Sequence, residues 1–135
     1  MAHNSRILSI FALMIIVRNK YIPFPHFAAI NLCGVLFCHH DVYLSQRLIN
    51  HERIHTAQIL EMGVIFFYLW YLGEWMVKLC SRGNAYFRIS FEREAYRHEG
   101  DMDYLKHRKH YAWWKYMREK KRKPIIRIWK KRKKI

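Results

Sequence analysis

Cysteine is scarce in this chain of 135 residues: Cys33, Cys38 and Cys80 form an odd and unevenly spaced set. That excludes a disulfide framework and favours a reducing compartment. Acidic residues are few as well, ten Asp and Glu against 25 Lys and Arg, for a net charge of +15. An excess of that size implies attraction to something anionic, nucleic acid or an acidic membrane surface, without choosing between them. Long apolar runs are also missing. The run at residues 7–17 is closed by Arg18-Asn19-Lys20 and is followed by no small-residue cleavage site, so it makes a poor signal peptide. Eleven residues are too short for a bilayer span, and a first strand is the simpler reading. The apolar stretch Val64–Leu79, as a helix, reaches roughly 24 Å against a hydrocarbon core of roughly 30 Å, and Glu74 and Lys78 interrupt it. It therefore does not read as a transmembrane span, and it predicts either deep burial or contact with lipid or a hydrophobic partner.

What is present organises into one α+β domain at residues 1–119 and a basic tail at 120–135, whose charge density is too high for a core and predicts mobility. Residues 7–39 are rich in β-branched and aromatic side chains, broken by Pro23 and Pro25, which suits a small sheet or hairpin region of two or three short strands. Gly34 marks a bulge or tight turn. Ser45 is placed to cap a helix over Gln46–Met62, and Gly63 to break it before Val64–Leu79. Ser90 is placed to cap a further helix at 91–98, and Asp101 another running to about Met117. Two or three helices thus follow the one that carries the main motif.

That motif is His51-Glu52-Arg53-Ile54-His55. Residues four apart share a helix face, so the two imidazoles can converge on one tetrahedral ion while Glu52 points alongside. A third ligand is required, and Glu92, at the start of the predicted helix Phe91-Glu92-Arg93-Glu94-Ala95-Tyr96, supplies a candidate.

His51-Glu52-x-x-His55 followed by Glu92-x-x-Ala95 resembles the gluzincin metallopeptidases, whose second helix carries Glu-x-x-Ala-Asp. The stretch from about residue 22 to 111, with Asn-His-Glu-Arg-Ile-His-Thr-Ala-Gln and Ser-Phe-Glu-Arg-Glu-Ala-Tyr, also looks like a group of short bacterial HExxH proteins. The resemblance implies a gluzincin-like minimal domain with zinc held by His51, His55 and Glu92. It further implies that Glu52 is the general base, taking a proton from water that the ion has acidified and delivering it to the leaving amine of a peptide substrate. The departure is Tyr96, which stands where relatives place an aspartate that orients a ligand histidine. Glu94 and Asp101 are the candidates to replace it, and His98, Tyr96 and Tyr104 are the candidates for an oxyanion partner.

Other readings use the same residues. Cys33-x4-Cys38-x12-His51-x3-His55 has Cys2His2 zinc-finger spacing, which would make the chain a non-catalytic basic zinc module contacting nucleic acid or an anionic membrane. Against it, Gly34-Val35-Leu36-Phe37 between the cysteines is wholly apolar, and a lone finger leaves Glu92 unexplained. The histidines could instead be surface groups, with Glu92 and Glu94 serving a helix N-terminus. The aromatic set Phe66, Phe67, Tyr68, Trp70, Tyr71 and Trp75 reads as core or interface, core being favoured, rather than as a cofactor box. Trp113, Trp114 and Tyr116 read as one packed helix face, and Ile125, Ile126, Ile128 and Trp129 in the tail suit a membrane surface as well as nucleic acid. The placement expected from these features is the cytoplasmic side of a bacterial membrane, peripheral to it.

Overall fold

The computed structural model describes residues 14–22 and 27–118. The basic tail at 120–135, the apolar residues 7–13, Pro23 and Pro25 lie outside them. Within the described part the α+β expectation holds: a three-stranded sheet precedes several helices. Strands β1 (Ile15–Asn19), β2 (Ala29–Leu32) and β3 (Val35–His39) are ordered β1-β3-β2, with β1 parallel and β2 antiparallel to β3. Leu32 pairs with Val35, leaving Cys33-Gly34 as a two-residue loop, and both have positive φ, 54° and 85°. Two positive φ values are what a type I′ turn requires, because its twist matches that of the strands.

Helix α1 (Gln46–Met62) starts as expected, with the Ser45 side chain accepting from the Leu48 amide at 3.2 Å. Gly63, at φ 78°, turns the chain sharply into α2 (Val64–Leu79). A 3₁₀ turn at Tyr86–Arg88 leads into α3 (Ser90–His98). The cap of α3 differs from expectation: Ile89 holds the N-cap position and Ser90 is the first helical residue. Its orphan donors are met from another helix. Glu74 accepts from the Ser90 amide at 2.9 Å and from its hydroxyl at 2.6 Å, so a carboxylate of α2 does the work of a cap. The core lies where these helices meet, around Ile59, Phe67, Ile89, Phe91 and Trp113.

The single helix expected over 101–117 is not formed. A short helix, α4 (Tyr104–His107), is followed by an extended Arg108 and a 3₁₀ segment at Ala112–Met117, which Tyr111 enters with φ 55°. The reason is electrostatic. The Arg108 guanidinium turns inward, with 4% of its side chain exposed, to pair with buried Glu61 of α1 and Glu94 of α3. Continuing the helix would compete with that pairing. The 3₁₀ segment then delivers Trp113 and Tyr116 into the interior and leaves Trp114 exposed.

Of the aromatic set on α2 expected to be core or interface, Phe67 is buried and Tyr68 and Tyr71 pack half-buried against the core, while Phe66 is 69% exposed and Trp70 and Trp75 a little over a third. A helix apolar on every side can bury only the side that meets its neighbours.

Candidate metal centre

His51 and His55 stand one turn apart on the buried face of α1, with Nε2 atoms 3.1 Å from each other. Glu92, in the first turn of α3, brings Oε2 to 3.4 Å from Nε2 of His51 and Oε1 to 3.4 Å from Nε2 of His55. These three residues form a group that could hold a metal ion, their ligand atoms all within 4.8 Å of one another. Neither Cys33 nor Cys38 belongs to it: Cys33 is exposed in the hairpin turn and Cys38 is buried on the central strand.

The remaining hydrogen bonds fix which nitrogen of each ring faces the group. Gln58 donates through Nε2 to the Phe91 carbonyl at 3.2 Å and to Glu94 at 3.0 Å, so its Oε1 must be the atom 2.8 Å from Nδ1 of His55. An amide oxygen only accepts, hence Nδ1 of His55 carries the proton. Nδ1 of His51 faces the Glu99 carboxylate at 2.9 Å and donates in the same way. With both Nδ1 atoms donating, neutral imidazoles point two Nε2 lone pairs at each other and at a carboxylate. Of that carboxylate, buried Oε2 has no hydrogen-bond partner among the described residues. Electron-rich atoms converging in a dry pocket repel unless a cation sits among them, and the donor set of two nitrogens and a carboxylate oxygen suits one.

The protonation balance points the same way. Burial disfavours the charged form of His51, but the Glu92 and Glu99 carboxylates beside it outweigh that and raise its pKa from 6.5 to about 10. His55 is also raised, its burial overcome by the charge of Glu92. Burial alone would push Glu92 up, yet the two imidazoles hold it well below the usual carboxylate range. Positive charge is thus demanded here, as protons or as metal. One consequence is measurable in the metal-free chain. Folded His51 keeps its proton to about pH 10 while unfolded His51 loses it near 6.5, so its stabilising contribution is complete below about 6.5 and is lost as pH rises toward 10. Urea unfolding of the metal-free protein from pH 6 to 10 is expected to show this decline, and a His51→Gln variant to show less of it.

Glu99 is the residue that sequence reasoning missed. It occupies the orienting role for which Glu94 and Asp101 were the expected candidates, and it is fully buried, with Arg47 donating to its other oxygen at 2.7 Å. The signal was there: Glu92, Tyr96 and Glu99 are spaced i, i+4, i+7, one helix face. Tyr96 itself packs edge-on against the His51 ring at 4.5 Å. Glu94 has a related task one step removed, holding Gln58, which holds His55. Asp101 is engaged away from the imidazoles: its carbonyl receives one of three bonds by which the Asn50 amide clamps the end of α3, and its carboxylate accepts from the Asp103 amide at 3.0 Å. We expect Glu99→Gln to weaken metal affinity about ten- to hundredfold with the fold retained, as titration against a competing chelator would show.

An open cleft of about 870 Å³ leads to the group, between β2, α1, α2 and the segment before α3. Glu52, His55 and Glu92 lie on its wall, and the rest of the lining is mainly apolar, including Leu32, Ile59, Phe67, Leu72 and Trp75. The edge strand is tied beside the motif: the Asn31 amide donates to the Glu52 carbonyl at 2.9 Å and to the Thr56 hydroxyl at 2.8 Å. Burial raises the Glu52 carboxyl above its ordinary value, the two histidines opposing. None of His98, Tyr96 and Tyr104 is on the cleft wall. His98 stacks on Tyr104 at 3.7 Å and hydrogen-bonds the Tyr116 hydroxyl, and the Tyr104 hydroxyl donates to Glu94. Tyr71 and Tyr86 are there instead, and the Tyr71 hydroxyl donates to Glu92 at 2.8 Å. No family model, curated protein or solved structure matches this chain, so its function has to be argued from the site.

Proposed function

We propose that this chain is a zinc-dependent hydrolase of peptide bonds, a minimal gluzincin-like metallopeptidase. The observation that carries the reading is the convergence of both motif histidines on Glu92, with His55 and Glu92 on the wall of a cleft that Glu52 also lines. His51, His55 and Glu92 would hold the ion, and zinc so bound supplies Lewis acidity that activates water and polarises a carbonyl.

The chain's own groups do the rest. Glu99 and the Gln58–Glu94 pair orient the imidazoles, so that no rotation is needed on metal uptake. Tyr71 fixes Glu92. Glu52 holds a carboxylate whose raised pKa makes it a stronger base than an exposed one, suited to accept a proton from water and return it to the leaving amine. Tyr86, whose phenol burial keeps protonated, is the donor we assign to the substrate carbonyl oxygen.

The reading is tested by incubating the zinc-loaded chain with a peptide library. Hydrolysis that a chelator abolishes and zinc restores is the expected result. Absence of cleavage by a chain carrying one zinc would reduce the account to a metal-binding domain without turnover.

A further inference from the structure

Helix α2 has its polarity inverted. Its charged residues face the protein, Glu74 under the start of α3 and Lys78 paired with Glu74 and with the Arg88 carbonyl. Its solvent side is a continuous apolar stripe, Ile65, Leu69, Leu72 and Met76, spaced i, i+4, i+7, i+11 and 72%, 61%, 50% and 58% exposed. Trp70 and Trp75 flank the stripe on opposite sides, each a little over a third exposed. Leu72 and Trp75 also line the cleft that leads to the metal group, so the apolar surface and the cleft wall are continuous.

Charge identifies what covers such a face. Most acids of the described residues are consumed internally: Glu61 and Glu94 by Arg108, Glu74 by Lys78, Glu99 by Arg47 and His51, Glu92 by the histidines. The exposed ones are Asp41, Asp101 and Asp103, against nine exposed Lys and Arg. Ten more Lys and Arg fall within residues 120–135. A second copy on this face would bring two chains of +15 together, and a tail so charged makes a poor cover for a bare apolar stripe. An anionic lipid surface satisfies both features at once, taking the stripe among its acyl chains and the cations among its headgroups. Among the described residues no single helix is long and apolar enough to cross a membrane. A helix of sixteen residues with flanking tryptophans suits the interface plane.

We infer that α2 lies in the surface of an anionic bilayer through Ile65, Leu69, Leu72 and Met76, which sets the mouth of the metal cleft at the lipid boundary. The substrates are then apolar peptide segments borne by that membrane, a consequence that rests on the hydrolase reading, whereas the docking does not.

The test is co-sedimentation of the full-length chain with vesicles of phosphatidylcholine containing phosphatidylglycerol, beside vesicles of phosphatidylcholine alone. A triple variant, Ile65→Gln with Leu69→Gln and Met76→Gln, changes only exposed positions, and its fold is checked by circular dichroism and metal content. The wild type is expected to bind the anionic vesicles with a blue shift of tryptophan emission, and the triple variant to bind about a hundredfold more weakly. Equal binding by both would assign the attraction to the cations alone and overturn the inference. So would failure of the wild type to bind, or a dimer in solution that the triple variant dissociates while vesicle binding is unchanged. Glu52→Gln and the metal-free chain are expected to bind as the wild type does. Docking without any hydrolysis would therefore sink the enzyme reading and leave this one standing. For the substrate class, an apolar peptide held in vesicles is expected to be cleaved faster than the same peptide in solution, by the wild type and not by the triple variant.

Discussion

Glu52→Gln is expected to keep one zinc per chain and to lose peptide hydrolysis by about two to four orders of magnitude. The substitution preserves shape and one acceptor oxygen, but it replaces the other with an amide nitrogen that only donates and so removes the ability to accept a proton. Glu52 is outside the group of ligand atoms, so the metal should be indifferent to the change. It lies on the cleft wall with His55 and Glu92, and burial raises its pKa above the ordinary carboxylate value, which makes it a stronger base. A kcat comparison at equal zinc content checks this. An unchanged rate in the variant would mean that another group takes the proton.

Arg108→Met should destabilise the fold by about 3–5 kcal/mol, because it leaves two largely buried carboxylates without their guanidinium partner. Glu94 has a side-chain exposure of 0% and Glu61 of 6%, and Arg108 is a partner to both. The effect extends to the metal. Glu94 also holds Gln58, and Gln58 holds the His55 ring, so an unbalanced Glu94 disturbs a ligand two bonds away. Urea unfolding gives the stability loss. Adding Glu61→Gln to Arg108→Met should recover part of it, since one buried charge then disappears, and the absence of any recovery would argue that Arg108 acts through packing instead.

The parts of this protein that were legible in the sequence are those fixed by local rules. Period and caps placed α1 and α2 to the residue: Ser45 has a side-chain oxygen for a free amide, and Gly63 takes a φ that other residues avoid. The i, i+4 spacing of His51 and His55 guaranteed a shared face, and Glu92 could be named because it begins the second helix of a recognisable pair of motifs. What escaped was set by contacts distant in the chain. Arg108 interrupts a helix whose local pattern looked continuous, because its partners sit 47 and 14 residues away. Ser90 loses its capping role to Glu74, a residue of another helix. The orientation of His51 passed to Glu99, one turn beyond the position where the motif pattern directs attention. The aromatic residues of α2 gave no indication of which side would be covered, since apolarity on all faces carries no periodic signal.

The account stands most directly on the metal content of the purified chain, measured by elemental analysis at matched free zinc. The comparison is wild type against Glu92→Ala and against Cys33→Ala with Cys38→Ala. We expect one zinc per chain in the wild type and in the double cysteine variant, and at least tenfold weaker retention in Glu92→Ala. Zinc that survives the loss of Glu92 and departs with the cysteines would contradict the site described here.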